Sequence, residues 1–203
     1  MALDRQQVVD EALSLLDDKG LESLSLRTLA GRLGVQAPTL YWHIGSKAEL
    51  LDALADAIMD DAIAAIPAPG PDGEWSEWLL TALTELRRAM LRRRDGARIV
   101  SGARLSLRRA DFSESAMSTL VDHGIELQRA RLLVLAGERL TVGYVLEEQA
   151  PTDESQQPPD LEELLGRFPV MTRAIGEYFH DGRTSDDLYQ DTARLLLGLP
   201  PHA

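Results

Sequence analysis

An all-α fold is predicted for this chain of 203 residues from two observations. Apolar residues recur at spacings of three and four along almost its whole length, and no segment alternates for long with β-branched residues. A balance of 44% hydrophobic and 27% charged residues is that of a globular protein with a sizeable core.

The first helix is expected from about Asp4 to Lys19. Asp4 can cap it, with Gln7 three residues on, and Val8, Ala12, Leu13 and Leu16 share a side before Gly20 ends it. The second is short: Ser25 caps it, Leu26, Leu29, Ala30 and Leu33 fall at i, i+3, i+4 and i+7, and Gly34 closes it. A third helix opens after Val35-Gln36 with Pro38 in its first turn, where a missing N–H does no harm, and is expected to run through Ile44. Ser46-Lys47-Ala48-Glu49 reads as a capping box that starts a long fourth helix reaching about Ile66. The stretch Pro67 to Gly73 is the clearest breaker in the first half. Beyond it, helices are expected at Ser76–Arg93, Gly96–Ala103, Ser106–His123, Glu126–Glu148, Leu161–His180 with a possible break at Pro169, and Ser185–Leu199. Three prolines among polar residues make Ala150 to Asp160 a loop or linker. The domain boundaries expected from these signals are 1–46, a connecting helix at 47–66, and a body at 74–203.

Composition narrows the function. Cysteine is absent, which removes disulfides, thiolate metal sites and cysteine nucleophiles together. The longest stretch without a polar side chain, Ala62 to Pro71, is short and broken by prolines, so no membrane span is expected. The opening residues lack the apolar core of a secretion signal, which makes the cytoplasm the expected compartment. With 21 Lys and Arg against 33 Asp and Glu, the net charge of −12 argues against coating nucleic acid through bulk electrostatics. Any DNA contact has to be local.

The second and third helices, joined through Gly34-Val35-Gln36, match a helix-turn-helix, whose second helix fits a major groove about 12 Å wide. Once Val35, Leu40 and Ile44 are assigned to the core, Ala37, Thr39, Tyr41, Trp42 and His43 are left to project outward. Tyr and Trp each offer a polar hydrogen for a phosphate and a flat apolar body for a thymine methyl or a sugar. Arg27 is placed to reach a guanine edge or a phosphate. Lys47 begins a helix whose free N–H groups already favour an anion. The plain alternative, that Tyr41 and Trp42 are core aromatics of a small bundle, requires two neighbours that diverge on a helix to be buried together.

The run LRTLAGRLGVQAPTLYWHIGSKAELLDALA, Leu26 to Ala55, closely resembles the DNA-binding region of the TetR family, and most of all its tetracycline-repressor subgroup. RRDGARIVSGAR (Arg93 to Arg104) and GYVLEEQ (Gly143 to Gln149) resemble the same subgroup. The resemblance implies an N-terminal helix-turn-helix DNA-binding domain and a C-terminal helical ligand-binding and dimerisation domain. It also implies a homodimer on double-stranded operator DNA that a small-molecule effector releases. By position, Arg27, Pro38, Thr39, Tyr41, Trp42, His43 and Lys47 would touch DNA. Ala37, preceded by Gln36, stands where that subgroup has a base-reading glutamine, so a different operator sequence is expected.

The body departs further from the subgroup. Ile63 and Val100 match the two histidines that help hold a drug–magnesium chelate, and neither can ligate a metal. Ala82 and Ala116 match the drug-contacting asparagine and glutamine. Arg104 and Glu147 remain of the polar set. Losing several buried hydrogen bonds, at about 1–3 kcal/mol each, should abolish tetracycline binding, so another effector is expected and no metal or cofactor. Ile63, Ala82, Leu86, Val100 and Ala116 suggest an apolar cavity, with Arg104, Tyr144 and Glu147 as orienting groups. Leu132 to Gly137 reads as apolar on all sides, with Gly137 and Gly143 allowing close approach, and Leu188, Leu195, Leu196 and Leu199 form a second stripe. The resemblance implies that Glu126–Glu148 and Ser185–Leu199 pair with their symmetry mates in a four-helix bundle; the alternative is an internal seam.

Two rival classes remain. Glu177 and His180 have the E-x-x-H spacing of carboxylate-bridged two-metal bundles, but such sites need a second copy on another helix and the chain has four histidines in all. No nucleophile elbow, phosphate loop or dinucleotide turn is present, so the chain is not expected to be an enzyme. A constitutive DNA-binding dimer without an effector is the other alternative.

Overall fold

The computed structural model describes residues 3–70, 74–103, 105–151 and 160–201, and among them every regular element is helical. Arg104, most of the proline-rich segment expected as a loop (152–159), and residues 71–73 of the Pro67–Gly73 breaker lie outside the described residues.

Helix α1 (Arg5–Lys19) begins on a reciprocal cap: Asp4 accepts the Gln7 N–H at 2.8 Å and donates its own N–H to the Gln7 side chain at 3.1 Å. It buries Val9 and Leu15 besides the expected stripe. A 3₁₀ turn at Leu21–Ser23 follows, too short to leave a periodic signal in sequence. Helix α2 (Leu26–Leu33) starts with Ser25 accepting the Thr28 N–H at 3.1 Å and stops at left-handed Gly34 (φ 66°).

Helix α3 (Ala37–Tyr41) is shorter than expected. The N–H groups of His43 and Ile44 both donate to the Leu40 carbonyl, at 2.9 and 2.8 Å, so the chain tightens into a turn and Ile44 reaches the core from outside the helix. Ser46 caps helix α4 (Lys47–Ala65) by accepting the Glu49 N–H at 3.1 Å. The reciprocal half of the expected capping box is absent, because the Glu49 carboxylate takes the N–H of Gly45 instead, at 2.8 Å.

Helices α5 (Trp75–Leu91), α6 (Gly96–Gly102), α7 (Leu107–Asp122) and α8 (Leu127–Glu148) build the body. α4 packs against α5, α6 and α7 as well as α1, and α8 covers α5, α6 and α7. α4 therefore belongs to the head and the body at once. These elements form one compact unit, Met1–Gln149. Within it, the apolar Leu132–Gly137 stretch of α8 is covered on one side only: Val134 and Gly137 are buried, whereas Leu132 is 64% exposed. A Cβ at Gly137 would come within 2.6 Å of Leu83 Cδ1, while one at Gly143 would meet nothing within 4 Å.

Gly96 is the tightest of the described glycines in the body, since a Cβ there would lie 2.2 Å from the Met90 carbonyl oxygen. The neighbour is backbone and cannot rotate away. Gly96→Ala is expected to cost about 2–3 kcal/mol by overpacking, read as a lower urea midpoint at unchanged slope; an unchanged midpoint would show that the turn yields freely.

The second compact unit, Ala150–Ala203, contains α9 (Leu161–Arg167), α10 (Pro169–Phe179) and α11 (Ser185–Leu197). The long helix expected over Leu161–His180 is divided at Phe168 (φ −129°, ψ 54°), where the following proline pushes the backbone out of the helical region. Tyr178 donates to Asp191 at 2.7 Å, and the Arg183 guanidinium lies 4.9 Å from its ring centroid. α11 buries Tyr189, Ala193 and Leu197 and leaves Leu195 exposed.

Candidate DNA-reading head and effector cavity

The head is held from beneath by apolar side chains and presents polar and aromatic ones above. Leu40 and Ile44 are fully buried with Leu29 and Leu16. Around them Gln36, Pro38, Thr39, Tyr41 and Trp42 are exposed, Trp42 at 89%, while Val35, Ala37 and His43 are half-buried. An indole left so bare gains nothing from burial within the chain. Tyr41 and Trp42 are thus not core aromatics. Arg27, in the first turn of α2, and Lys47, the first residue of α4, are exposed and make no ion pair among the described residues.

Acidic residues of the N-terminal helices are paired within the fold. Arg32 binds Glu11, Asp18 and Ser14 of α1 at 2.5, 2.6 and 3.0 Å. The Asp18 hydrogen bond, with that of Glu11, holds this guanidinium above its ordinary pKa. Asp17 pairs with Arg93 at 2.9 Å and Glu22 with Arg98 at 2.6 Å, so arginines of the α5–α6 turn and of α6 neutralise acids of the N-terminal helices.

The same turn fixes the orientation of the head. Asp95 adopts a left-handed conformation (φ 58°), which Asp tolerates better than most residues, and accepts the Leu21 N–H at 2.8 Å and Arg98 at 3.0 Å. Burial raises the carboxyl's pKa, but these hydrogen bonds outweigh it and hold the group below the usual carboxylate range. A carboxylate held low contributes stability that is present above its unfolded pKa and lost as pH falls through the folded value. Asp95→Asn should therefore flatten the loss of stability below about pH 4 in urea titrations; an acid limb as steep as that of the parent protein would contradict the assignment.

A cavity of about 160 Å³ lies between α4, α5 and α7. Ile63, Ala82 and Ala116, expected at the effector site, line it. Trp78, Phe112, Ser115 and the segment Ile66–Pro69 line it as well and were not anticipated. The signal was available: Trp78 and Phe112 each precede an expected lining alanine by four residues, hence on the same helical face. The Trp78 indole N–H donates to the Pro67 carbonyl at 2.9 Å and ties this segment to α5. Leu86 and Val100 are buried away from this cavity, Tyr144 is half-buried and Glu147 exposed. Arg104 is not among the described residues.

Among the described residues no group of three or more His, Asp or Glu side chains is placed to hold a metal. Glu177 and His180 are exposed and pair with Arg173 and Asp181, at 3.7 and 3.1 Å. No described helix is long and apolar enough to cross a membrane.

Residues 8–54 match the family of bacterial regulatory proteins, tetR family, and residues 66–194 match the tetracyclin repressor-like C-terminal domain. The chain is 39% identical over 199 residues to the tetracycline repressor protein class C of Escherichia coli, covering 97% of this chain and 90% of that protein. Its fold is similar to that of a possible TetR family transcriptional regulator from Streptomyces coelicolor A3(2), with a TM-score of 0.80, 32% identity, and 96% and 97% of the two chains covered. A TetR variant from Acinetobacter baumannii AYE, solved in complex with minocycline, is similar with a TM-score of 0.78 at 32% identity over 97% and 92%.

Proposed function

The chain belongs to the tetR family of bacterial regulatory proteins, and we infer from this that it is a cytoplasmic DNA-binding repressor, not an enzyme, released from its operator by a small molecule. The observation that carries this reading is the bare aromatic pair Tyr41-Trp42 at the end of α3, over a buried Leu40–Ile44 anchor. As a homodimer it presents two such helices one duplex turn apart, about 34–36 Å, to a palindromic operator. The DNA contacts are Arg27, Gln36, Ala37, Pro38, Thr39, Tyr41, Trp42, His43 and Lys47.

Dimerisation runs through Glu126–Glu148 and Ser185–Leu199, a reading supported by Leu132 and Leu195, which stand 64% and 78% exposed in the single chain. α4 couples cavity to head because it packs on α1 at one end and reaches the cavity through Ile63 at the other. A ligand that favours one tilt of α4 by about 1–3 kcal/mol suffices to change operator affinity. The effector is not magnesium–tetracycline: Ile63 and Val100 offer no metal ligand, and Ala82 and Ala116 no amide.

Selection of bound duplexes from a random pool tests the reading. An inverted repeat should be enriched, with affinity falling by about 0.9 log units per phosphate contact for each decade of salt; no enriched sequence at low salt would overturn it. A constitutive regulator without an effector would yield the same repeat but no small molecule that both raises thermal stability and weakens DNA binding.

A further inference from the structure

We propose that the effector is an uncharged aromatic compound of a single ring, held against Trp78 and Phe112 in the cavity under the Ile66–Pro69 segment. The proposal rests on the reading of the chain as a ligand-responsive regulator and specifies the chemistry of its ligand. A cavity of about 160 Å³ is close to the roughly 150 Å³ that accommodates benzene in a protein interior. None of the described lining side chains carries a charge, and the polar side-chain tips among them are the Trp78 N–H and the Ser115 hydroxyl. The indole N–H is already committed to the Pro67 carbonyl, which leaves Ser115 to meet one polar group of the ligand. A charged ligand would lose its hydration with no opposite charge to replace it. An aromatic one gains offset or edge contacts with the Trp78 and Phe112 rings of the lining that an aliphatic one cannot make.

The same residues connect occupancy to the head. The ligand would touch Ile63 and Ile66 at the end of α4 together with Phe112 and Ala116 of α7, while the Trp78–Pro67 hydrogen bond holds the intervening segment in place.

Binding of benzyl alcohol, toluene, benzoate and benzylammonium to the protein tests the proposal by calorimetry or saturation-transfer NMR. The two neutral probes should bind at least about tenfold more tightly than the two ions. Ala116→Phe, which fills the cavity, should weaken both neutral probes by about tenfold or more, and Ala82→Leu serves if the first variant does not fold. Ser115→Ala, at an exposed position, should weaken benzyl alcohol and leave toluene unchanged. Equal binding of the ions, no binding of either neutral probe, or neutral binding that survives filling of the cavity would each overturn the proposal. Operator binding measured on the same preparations separates the two claims. Neutral probes bound by a protein that recognises no duplex would sink the regulator reading alone, whereas operator recognition without neutral-probe binding would sink the ligand assignment alone.

Discussion

Tyr41→Ala weakens operator binding by about tenfold to a hundredfold, since a well-formed side-chain contact to DNA contributes about 1–3 kcal/mol, and Y41A with W42A weakens it further. The two side chains are 54% and 89% exposed, so the thermal midpoint should hardly move, surface substitutions being worth about 0.5 kcal/mol or less. Titration of a labelled operator duplex alongside thermal denaturation checks both halves. Full affinity in the double variant would mean that this face does not meet DNA. A collapse in stability would mean that the rings are structural.

Leu40→Ala has the opposite signature. Leu40 is fully buried in a head of three short helices, and deleting its side chain should cost about 2–5 kcal/mol, the lost transfer energy plus the cavity left behind. Operator binding then falls because the reading helix loses its seat, without any contact to DNA having been removed. Urea unfolding should show a lowered midpoint, and affinity should recover in part on cooling or with a stabilising osmolyte. Adjacent residues on one short helix thus separate binding from support. A Leu40→Ala protein as stable as its parent would contradict the packing described for the head.

The helices were legible in the sequence wherever period and punctuation agreed. Asp4, Ser25, Gly34 and Ser46 each mark an end that the structure retains, because caps are local chemistry. The end of α3 was not legible: Ile44 is apolar at a helical spacing, yet it is buried by a turn whose geometry depends on two N–H groups sharing the Leu40 carbonyl. The ion pairs that tie the head to the α5–α6 turn were also hidden. Asp17 and Arg93 lie 76 positions apart, too far for any local charge pattern to reveal the pair. The exposure of Tyr41 and Trp42 was legible, since neighbouring aromatics that diverge on a helix cannot both face the core. The cavity was half legible. Residue-by-residue resemblance pointed to Ile63, Ala82 and Ala116, whereas Trp78, Phe112 and the proline segment emerge only once α4, α5 and α7 are packed together.

Half-site geometry offers the most direct test of the central claim, that two copies of α3 read two adjacent major grooves at once. Take the selected operator and insert about five base pairs at its centre, half of a duplex turn of roughly 10 to 10.5 base pairs, leaving both half-sites intact. A rigid twofold dimer then cannot seat both helices, and anisotropy titrations should show affinity falling to the level of a duplex carrying one half-site. Insertion of a full turn should not bring the loss back to parental affinity unless the body can spread. Undiminished binding to the half-turn duplex would mean that the chain engages DNA as independent heads, and the account given for its function would fail.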